Sequence, residues 1–214
     1  MNNVETLCNV PLIVLNGPEW FAGMGPEKNG GPKLYCISGH VKRPGVYEAS
    51  MHTTLRELIY DEKFGGGMLP GRKLRAVVPG GSSTPVLLPS EIDCRMDFDS
   101  VAKAGSMLGS AATIVMDDSV CMVRVGCVIS YFFRDESCGQ CTQCREGTGW
   151  LHKIMERIER GAGREEDLAI LLDVCGKMEG QTICAFSDAA AWPIQGMLRA
   201  FREDFERHAA SRSC

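Results

Sequence analysis

The chain has 214 residues, of which 44% are hydrophobic and 23% are charged, so its composition is that of a globular protein and excludes a disordered chain. The net charge is −4 and no block of like charges occurs, which disfavours a nucleic-acid partner held through its phosphates. The sequence lacks an uncharged apolar run of about 18–20 residues and a recognisable signal peptide. We therefore expect no insertion into a membrane.

Residues 1–32 contain several glycine and proline clusters. Gly17-Pro18, Gly25-Pro26 and Gly30-Gly31-Pro32 are typical of turns. Apart from the apolar run Val10–Leu15, we predict irregular structure here, in a connector that forms the tail of a preceding domain.

Residues 33–90 show the pattern of short strands around one helix. The strand candidates are Leu34–Ser38, Val46–Glu48 and Leu74–Val78, and Thr54–Glu57 is a capping box that begins a short helix. Strands around a single helix in so short a segment predict a small α+β domain of β-grasp size.

Residues 91–118 hold a predicted helix, Ser100–Leu108, and a predicted strand, Ala111–Met116. In residues 119–214 the apolar positions recur at helical spacing in four segments, the last with Pro193 in its first turn. Four amphipathic segments with short connections predict a helical bundle. The predicted fold class is therefore α+β, with a small β-grasp domain followed by a four-helix bundle.

Cysteine is the unusual residue in the composition, with 11 in the chain. An odd number argues against a disulfide framework and favours free or metal-bound thiols. Cys138, Cys141 and Cys144 lie three residues apart, and an iron–sulfur cluster needs four converging thiolates. On a regular helix these three would climb about 9 Å along the axis. We therefore predict a loop wrapped around a cluster, followed by a helix whose positive end faces it, with Arg145 adding to that field.

A zinc site is the competing interpretation of these cysteines. Structural zinc is usually held by two separated pairs, whereas here three thiols stand together without a second pair, which favours iron–sulfur. Spacing alone does not decide which distant cysteine is the fourth ligand. Cys184, in a loop between two helices, is the best placed, and Cys214 at the chain end is a weak candidate. Packing roles are expected for the remaining cysteines in apolar segments, Cys36, Cys121, Cys127 and Cys175.

Three strings of residues make the sequence recognisable: Glu136–Thr148, Glu179–Cys184 and Ala190–Pro193. They closely resemble the flavin-bearing, NADH-binding 51 kDa subunit of respiratory complex I. Residues Tyr35–Leu88 are similar to the soluble-ligand-binding β-grasp domain of that family. The resemblance implies one 4Fe–4S cluster with the pattern C-x2-C-x2-C-x39-C. It carries the ligand role onto four cysteines: Cys138, Cys141, Cys144 and Cys184.

The resemblance also implies a glycine-rich domain for FMN and NADH, which would precede Asn2 and which we expect to be absent from this chain. Only Asn2 and Asn3 correspond to residues expected near the flavin. Gln143 replaces the proline that is common before the third cysteine in the family, a change that leaves the ligand set intact.

The implied function is an electron relay in NADH:ubiquinone oxidoreductase. One cluster would take single electrons from FMN reduced by NADH and pass them to the next iron–sulfur centre. The implied partners are the small 2Fe–2S subunit and the large iron–sulfur subunit, on the matrix side of the inner mitochondrial membrane or the cytoplasmic side in bacteria. No residue is assigned a catalytic role. The alternatives are a zinc-stabilised interaction module and an inactive truncated copy.

We expect the chain by itself not to oxidise NADH, because the residues that resemble the family do not include the domain that would bind the nucleotide. The measurement is reduction of ferricyanide by NADH with the purified chain, in the presence and absence of added FMN. Turnover at an enzymatic rate would contradict this expectation.

Overall fold

The structure, a computed structural model, describes residues 1–211, in which a four-stranded sheet is combined with eight helices. In chain order the elements are α1 (Val4–Asn16), α2 (Pro18–Ala22), β1 (Pro32–Gly39), β2 (Gly45–Ser50), α3 (Leu55–Tyr60), β3 (Leu74–Val78), α4 (Phe98–Lys103), β4 (Ala112–Asp117), α5 (Met122–Glu136), α6 (Thr142–Glu159), α7 (Asp167–Met178) and α8 (Phe186–Ser211). The mixed α+β class is confirmed. Within residues 1–211, none of the helices has the length and apolar character needed to cross a membrane.

The sheet has the strand order β2-β1-β4-β3. β1 pairs with β2 and β3 pairs with β4 in antiparallel fashion, whereas β1 and β4 are parallel, with Cys36 opposite Ala112. β4 comes from the segment 91–118 and lies between β1 and β3. The segment that follows the first three strands is therefore an integral part of the sheet.

Both faces of the sheet are covered, because successive side chains of a strand point to opposite faces. Val77 of β3 belongs to a core with α3 and β1, whereas its neighbours Ala76 and Val78 belong to a second core formed with the long helices. All three side chains are buried. β3 thus contributes to two hydrophobic cores at once.

The four long helices α5–α8 pack against one another and against the second face of the sheet. Gly126 lies where α5 meets its neighbours, and a Cβ there would come 2.6 Å from Cε of Met155 on α6. Arg75 of β3 donates a hydrogen bond of 2.8 Å to the carbonyl oxygen of Val120 and pairs with Asp204 of α8. These contacts fix the helical layer on the sheet.

Most of the predicted strands and caps are confirmed. β3 has the predicted bounds, and the predicted strands Leu34–Ser38 and Val46–Glu48 lie inside β1 and β2. Thr54 and Glu57 form both hydrogen bonds of the capping box at the start of α3. Gly161 follows the C-cap of α6 with φ +70°, a left-handed conformation that suits glycine at the end of a helix.

The prediction of irregular structure in residues 1–32 is wrong for α1 and α2. The Asn3 side chain accepts a hydrogen bond of 2.7 Å from the Glu5 backbone N–H and so caps α1. The glycine and proline residues end this helix at Gly17 instead of preventing it. None of the side chains of α1 is buried, so this helix has no stripe of apolar side chains facing a core.

Two other boundaries differ from the prediction. α8 begins at Phe186 and continues through Pro193, which was expected in a first turn, and its backbone departs from helical geometry at Phe201. α4 begins before the predicted helix Ser100–Leu108, because Asp97 caps it, and it ends earlier, at Lys103, because Gly105 follows with φ +87°. Gly105 therefore ends a short helix, whereas the packing of the long helix α8 overrides the local preference of Pro193.

A buried ion pair ties α6 to α7. Nε of Arg157 donates to Asp167, which is fully buried, at 2.9 Å, and the Arg164 backbone N–H donates to the same carboxylate at 2.9 Å. Burial by itself would raise the pKa of the Asp167 carboxyl, but these hydrogen bonds outweigh burial and hold the pKa below its usual range. The carboxylate therefore stabilises the folded chain as long as it is charged.

We predict that Asp167→Asn lowers the free energy of unfolding by about 2 kcal/mol near neutral pH, because a charged partner is left unpaired. The native pKa is depressed, so the stabilisation is present above the unfolded value of about 4 and is lost as the pH falls through the native value. Urea unfolding measures the free energy of unfolding of the wild type and of Asp167→Asn. The difference between the two free energies should be constant from about pH 5 to 7 and should shrink in more acidic solution.

The matched control is Asp173→Asn, on the same helix, which removes an exposed pair with Lys177. It should have a much smaller effect, because exposed pairs contribute little. Equal losses for the two variants would contradict the prediction.

Candidate metal centre

Four cysteines line one cavity between the α5–α6 loop and the α7–α8 loop. The cavity has a volume of about 170 Å³ and is lined by Cys138, Cys141, Cys144 and Cys184, together with Glu136, Gln140, Thr182 and Phe186. All four cysteines are free thiols in the structure. The two segments that were expected to meet are therefore brought together.

The first three cysteines follow the end of α5 through a tight turn into α6. Gly139 has φ +76°, and its carbonyl oxygen accepts a hydrogen bond of 2.7 Å from Nη1 of Arg145. Cys141 is the N-cap of α6, and Cys144 lies in the first turn and is 7% exposed. The prediction of a loop carrying all three is therefore wrong for Cys144. Only Cys138 and Cys141 lie outside the helix. Cys144 follows Cys141 by three residues, and three residues of helix rise only about 4.5 Å along the axis, so the two sulfurs can still lie close together.

The fourth cysteine lies in the loop that joins α7 to α8. Cys184 is exposed, and its carbonyl oxygen accepts a hydrogen bond of 2.8 Å from Oγ1 of Thr182. The backbone N–H of Gly180 donates to Oδ1 of Asp188 at 2.6 Å, which ties the start of the loop to α8. Glu179 accepts a hydrogen bond of 2.8 Å from Nε1 of Trp192. Two hydrogen bonds thus tie the start of the loop to α8.

A close approach of α6 to α7 places this loop beside the other three cysteines. Gly147 lies one turn after Cys144, and a Cβ at this position would come 2.5 Å from Sδ of Met178. Met178 is the last residue of α7, immediately before the loop that carries Cys184. Glycine at position 147 therefore allows the two cysteine-bearing segments to meet.

The four thiols affect one another electrostatically. Burial raises the pKa of the Cys144 thiol, the nearby Cys138, Cys184 and Cys141 raise it further, and a hydrogen bond with Ser137 acts in the opposite direction. Metal binding displaces protons from such thiols and removes this repulsion.

The N-terminus of α6 adds positive potential at the cavity. No side chain caps the helix, so its first N–H groups keep their partial positive charge at this end. Arg145 was expected to strengthen the field, but its Nε lies 3.1 Å from a carboxylate oxygen of Glu146, which partly offsets its charge. The helix N-terminus therefore contributes positive potential, whereas Glu136 in the cavity lining contributes negative charge.

The residues present fit an iron–sulfur cluster. Four soft sulfur donors are the ligand type that such clusters take. The cavity volume is many times the ~10–15 Å³ that one water-sized sphere occupies, so it is larger than a single ion requires. Among residues 1–211, no three or more side chains of His, Cys, Asp or Glu are close enough together to hold a single metal ion. The four thiols line the cavity without meeting at one point.

Among residues 1–211, the other cysteines lie outside this cavity lining. Cys175 is fully buried in the helical core, and its burial raises the pKa of the thiol to about 12. Cys127 is also buried in that core, as expected, and Cys121 caps α5 and packs against it. Cys36 is exposed on β1, so the prediction of a packing role is wrong for this residue. Cys214 lies outside the described residues.

The residues expected near a flavin stand at the start of α1. Asn2 is exposed, and Asn3 is the N-cap, with its side-chain oxygen engaged by the Glu5 backbone N–H. The structure thereby gives Asn3 a role in the fold.

The residues that hold the two loops carried no signal in the sequence. Ser137, Thr182 and Asp188 stand inside or beside the recognised strings but have no spacing that indicates their partners. The Glu179–Trp192 contact joins residues 13 apart across a loop and depends on how α8 packs.

Two known families match parts of this chain. The NADH-ubiquinone oxidoreductase-F iron-sulfur binding region matches residues 124–208, and the SLBB domain matches residues 34–87. The first match contains all four cysteines of the cavity.

Curated relatives match along the whole chain. Three of them are F subunits of NADH-quinone oxidoreductase from bacteria. The second F subunit of Rhizobium meliloti is 51% identical over all 214 residues. The F subunit of Rickettsia conorii is 48% identical, and that of Mycobacterium tuberculosis is 45% identical. The match covers 50%, 50% and 47% of these proteins, so the chain spans about half their length.

Solved structures resemble the fold as well. A chain of an NAD⁺-reducing [NiFe]-hydrogenase in the air-oxidised state superposes with a TM-score of 0.87 and 31% identity. The superposition covers 97% of this chain and 35% of the hydrogenase chain.

We predict that the cysteines of the metal-free protein differ in their reactivity toward iodoacetamide. Because its pKa is about 12, Cys175 has only about one thiolate in 10⁴ molecules at pH 8, and it is buried. Exposed Cys138 and Cys184 should be labelled first, the buried Cys144 more slowly and Cys175 last. Peptide mass spectrometry after timed quenching measures the order.

In a denaturant the same cysteines should react at similar rates, which serves as the control. Native labelling of Cys184 as slow as that of Cys175 would contradict the arrangement of the cavity.

Proposed function

The chain belongs to the family of NADH-quinone oxidoreductase F subunits, and from this premise we propose that it holds one 4Fe–4S cluster and relays single electrons. The observation that carries the proposal is the cavity lined by four free cysteines inside the matched iron–sulfur region. The proposed ligands are Cys138, Cys141, Cys144 and Cys184.

A bound cluster would supply one-electron chemistry, since it accepts and gives up one electron without making or breaking a bond to the protein. The chain's own residues position the four sulfurs and shape their surroundings. Phe186 contributes an apolar ring to the cavity, and Cys144 is almost removed from solvent. The exposed Cys138 and Cys184 leave the cavity close to the protein surface, where a redox partner can approach.

The electrons would come from FMN reduced by NADH and would pass to the next iron–sulfur centre of the complex. This part of the proposal is supported by the names of the relatives, which are NADH-quinone oxidoreductases. The proposed partners are the small 2Fe–2S subunit and the large iron–sulfur subunit. The place of action would be the cytoplasmic side of a bacterial membrane or the matrix side of the mitochondrial one.

The proposed organisation assigns residues 33–90 to a β-grasp domain and residues 119–214 to a four-helix bundle with the cluster. The SLBB match at residues 34–87 and the mutual packing of α5–α8 support it. Residues 1–32, with Asn2 and Asn3, would belong to the edge of a flavin domain.

The test is anaerobic reconstitution of the full chain with iron and sulfide. The wild-type protein should turn brown, contain iron and sulfide in equal amounts, and give an electron paramagnetic resonance signal after reduction. Replacement of a proposed ligand by serine, in Cys138→Ser or Cys184→Ser, should abolish or strongly reduce cluster content.

Cys175→Ala is the matched control, because Cys175 lies in the core and not in the cavity. It should keep the cluster, although loss of a buried group costs some stability. A colourless protein that retains zinc would support a zinc-stabilised interaction module instead. Equal iron content in wild type and in Cys184→Ser would show that the fourth ligand is assigned wrongly.

A further inference from the structure

Ser137 stands between the end of α5 and the first cysteine. Its Oγ lies 3.3 Å from Sγ of Cys144, and the backbone N–H of Gly139 donates to the same Oγ at 3.3 Å. The hydroxyl is therefore in contact with a proposed ligand sulfur and with one backbone donor.

The direction of the Ser137–Cys144 hydrogen bond follows from chemistry. A metal-bound cysteine is a thiolate without a proton, so only the serine hydroxyl can donate between the two atoms. The oxygen accepts from Gly139, which polarises the hydroxyl and strengthens its donation to the sulfur. The chain of donation runs from the Gly139 N–H through Ser137 to Cys144.

The position of this sulfur makes the hydrogen bond stronger. Cys144 is buried, whereas Cys138 and Cys184 are exposed and Cys141 is half-buried. A hydrogen bond to a charged acceptor weakens where water competes for the acceptor, and that competition is least at the buried sulfur.

We propose that the Ser137 hydroxyl donates a hydrogen bond to the Cys144 thiolate and thereby raises the reduction potential of the cluster. The inference rests on the proposed function. Reduction adds one electron, and part of the added negative charge resides on the ligand sulfurs. A donor to one sulfur therefore stabilises the reduced state more than the oxidised state. Ser137 is a positioning residue here, because it acts through Cys144.

The experiment compares Ser137→Ala with Ser137→Thr in the reconstituted full chain. Redox titration followed by electron paramagnetic resonance gives the midpoint potential of each protein. Ser137→Ala should lower the equilibrium constant for one-electron reduction roughly fivefold, which is about 40 mV at 59 mV per tenfold change. Ser137→Thr keeps a hydroxyl and should stay close to wild type.

Ser187→Ala is the matched control for the loss of a serine hydroxyl near the site. Its Oγ donates a hydrogen bond of 3.1 Å to the carbonyl oxygen of Met178, away from the ligand sulfurs. The potential of this variant should not change, even if its thermal stability falls.

The outcomes separate this inference from the proposed function. If wild type assembles no 4Fe–4S cluster, the proposed function fails and the inference fails with it. If the cluster forms but Ser137→Ala has the wild-type potential, only the inference is overturned. If Ser137→Ala alone fails to assemble the cluster, the hydroxyl builds the site instead of tuning it, which also overturns the inference.

Discussion

The close packing of α6 against α7 is the constraint on which the candidate site depends. Three of the four sulfurs come from one turn of chain, but Cys184 comes from a loop about forty residues further on. Gly147 lets α6 approach Met178 at the end of α7, and the Arg157–Asp167 pair fixes the opposite end of the same interface. A side chain at position 147 would collide with the buried Met178 side chain, so this methionine or the two helices would have to shift.

The sequence was informative about the site where chemistry depends on spacing. The three cysteines at intervals of three, and the resemblance that singled out Cys184, predicted the residues that line one cavity. The prediction was wrong about local backbone, because Cys144 lies in a helix and not in a loop. The spacing of the cysteines indicates that their sulfurs can converge. It does not indicate where α6 begins, because that depends on where the preceding turn ends.

The helices were predicted correctly where neighbouring residues determine them and wrongly where glycine and proline residues were misread. The capping box at Thr54 and Glu57 involves neighbours only, and it is present as predicted. α1 was missed because the glycine and proline clusters that follow it were taken to indicate loops along the whole of residues 1–32, whereas they only end the helix at Gly17. Pro193 was misread because a proline usually stands at the start of a helix, whereas α8 contains it within a longer element that is packed on three neighbouring helices.

The alternating side chains of β3 limit where the chain can be cut into fragments. Val77 points into one core and its neighbours Ala76 and Val78 into the other, and β4, from the segment between the two matched regions, joins β1 to β3. A fragment that ends before β4 would lose an inner strand of its sheet and expose unpaired strand edges, which are prone to aggregation. Through β3, the SLBB region therefore supplies part of the hydrophobic core of the iron–sulfur region, and a boundary drawn between the two matches cuts through shared packing.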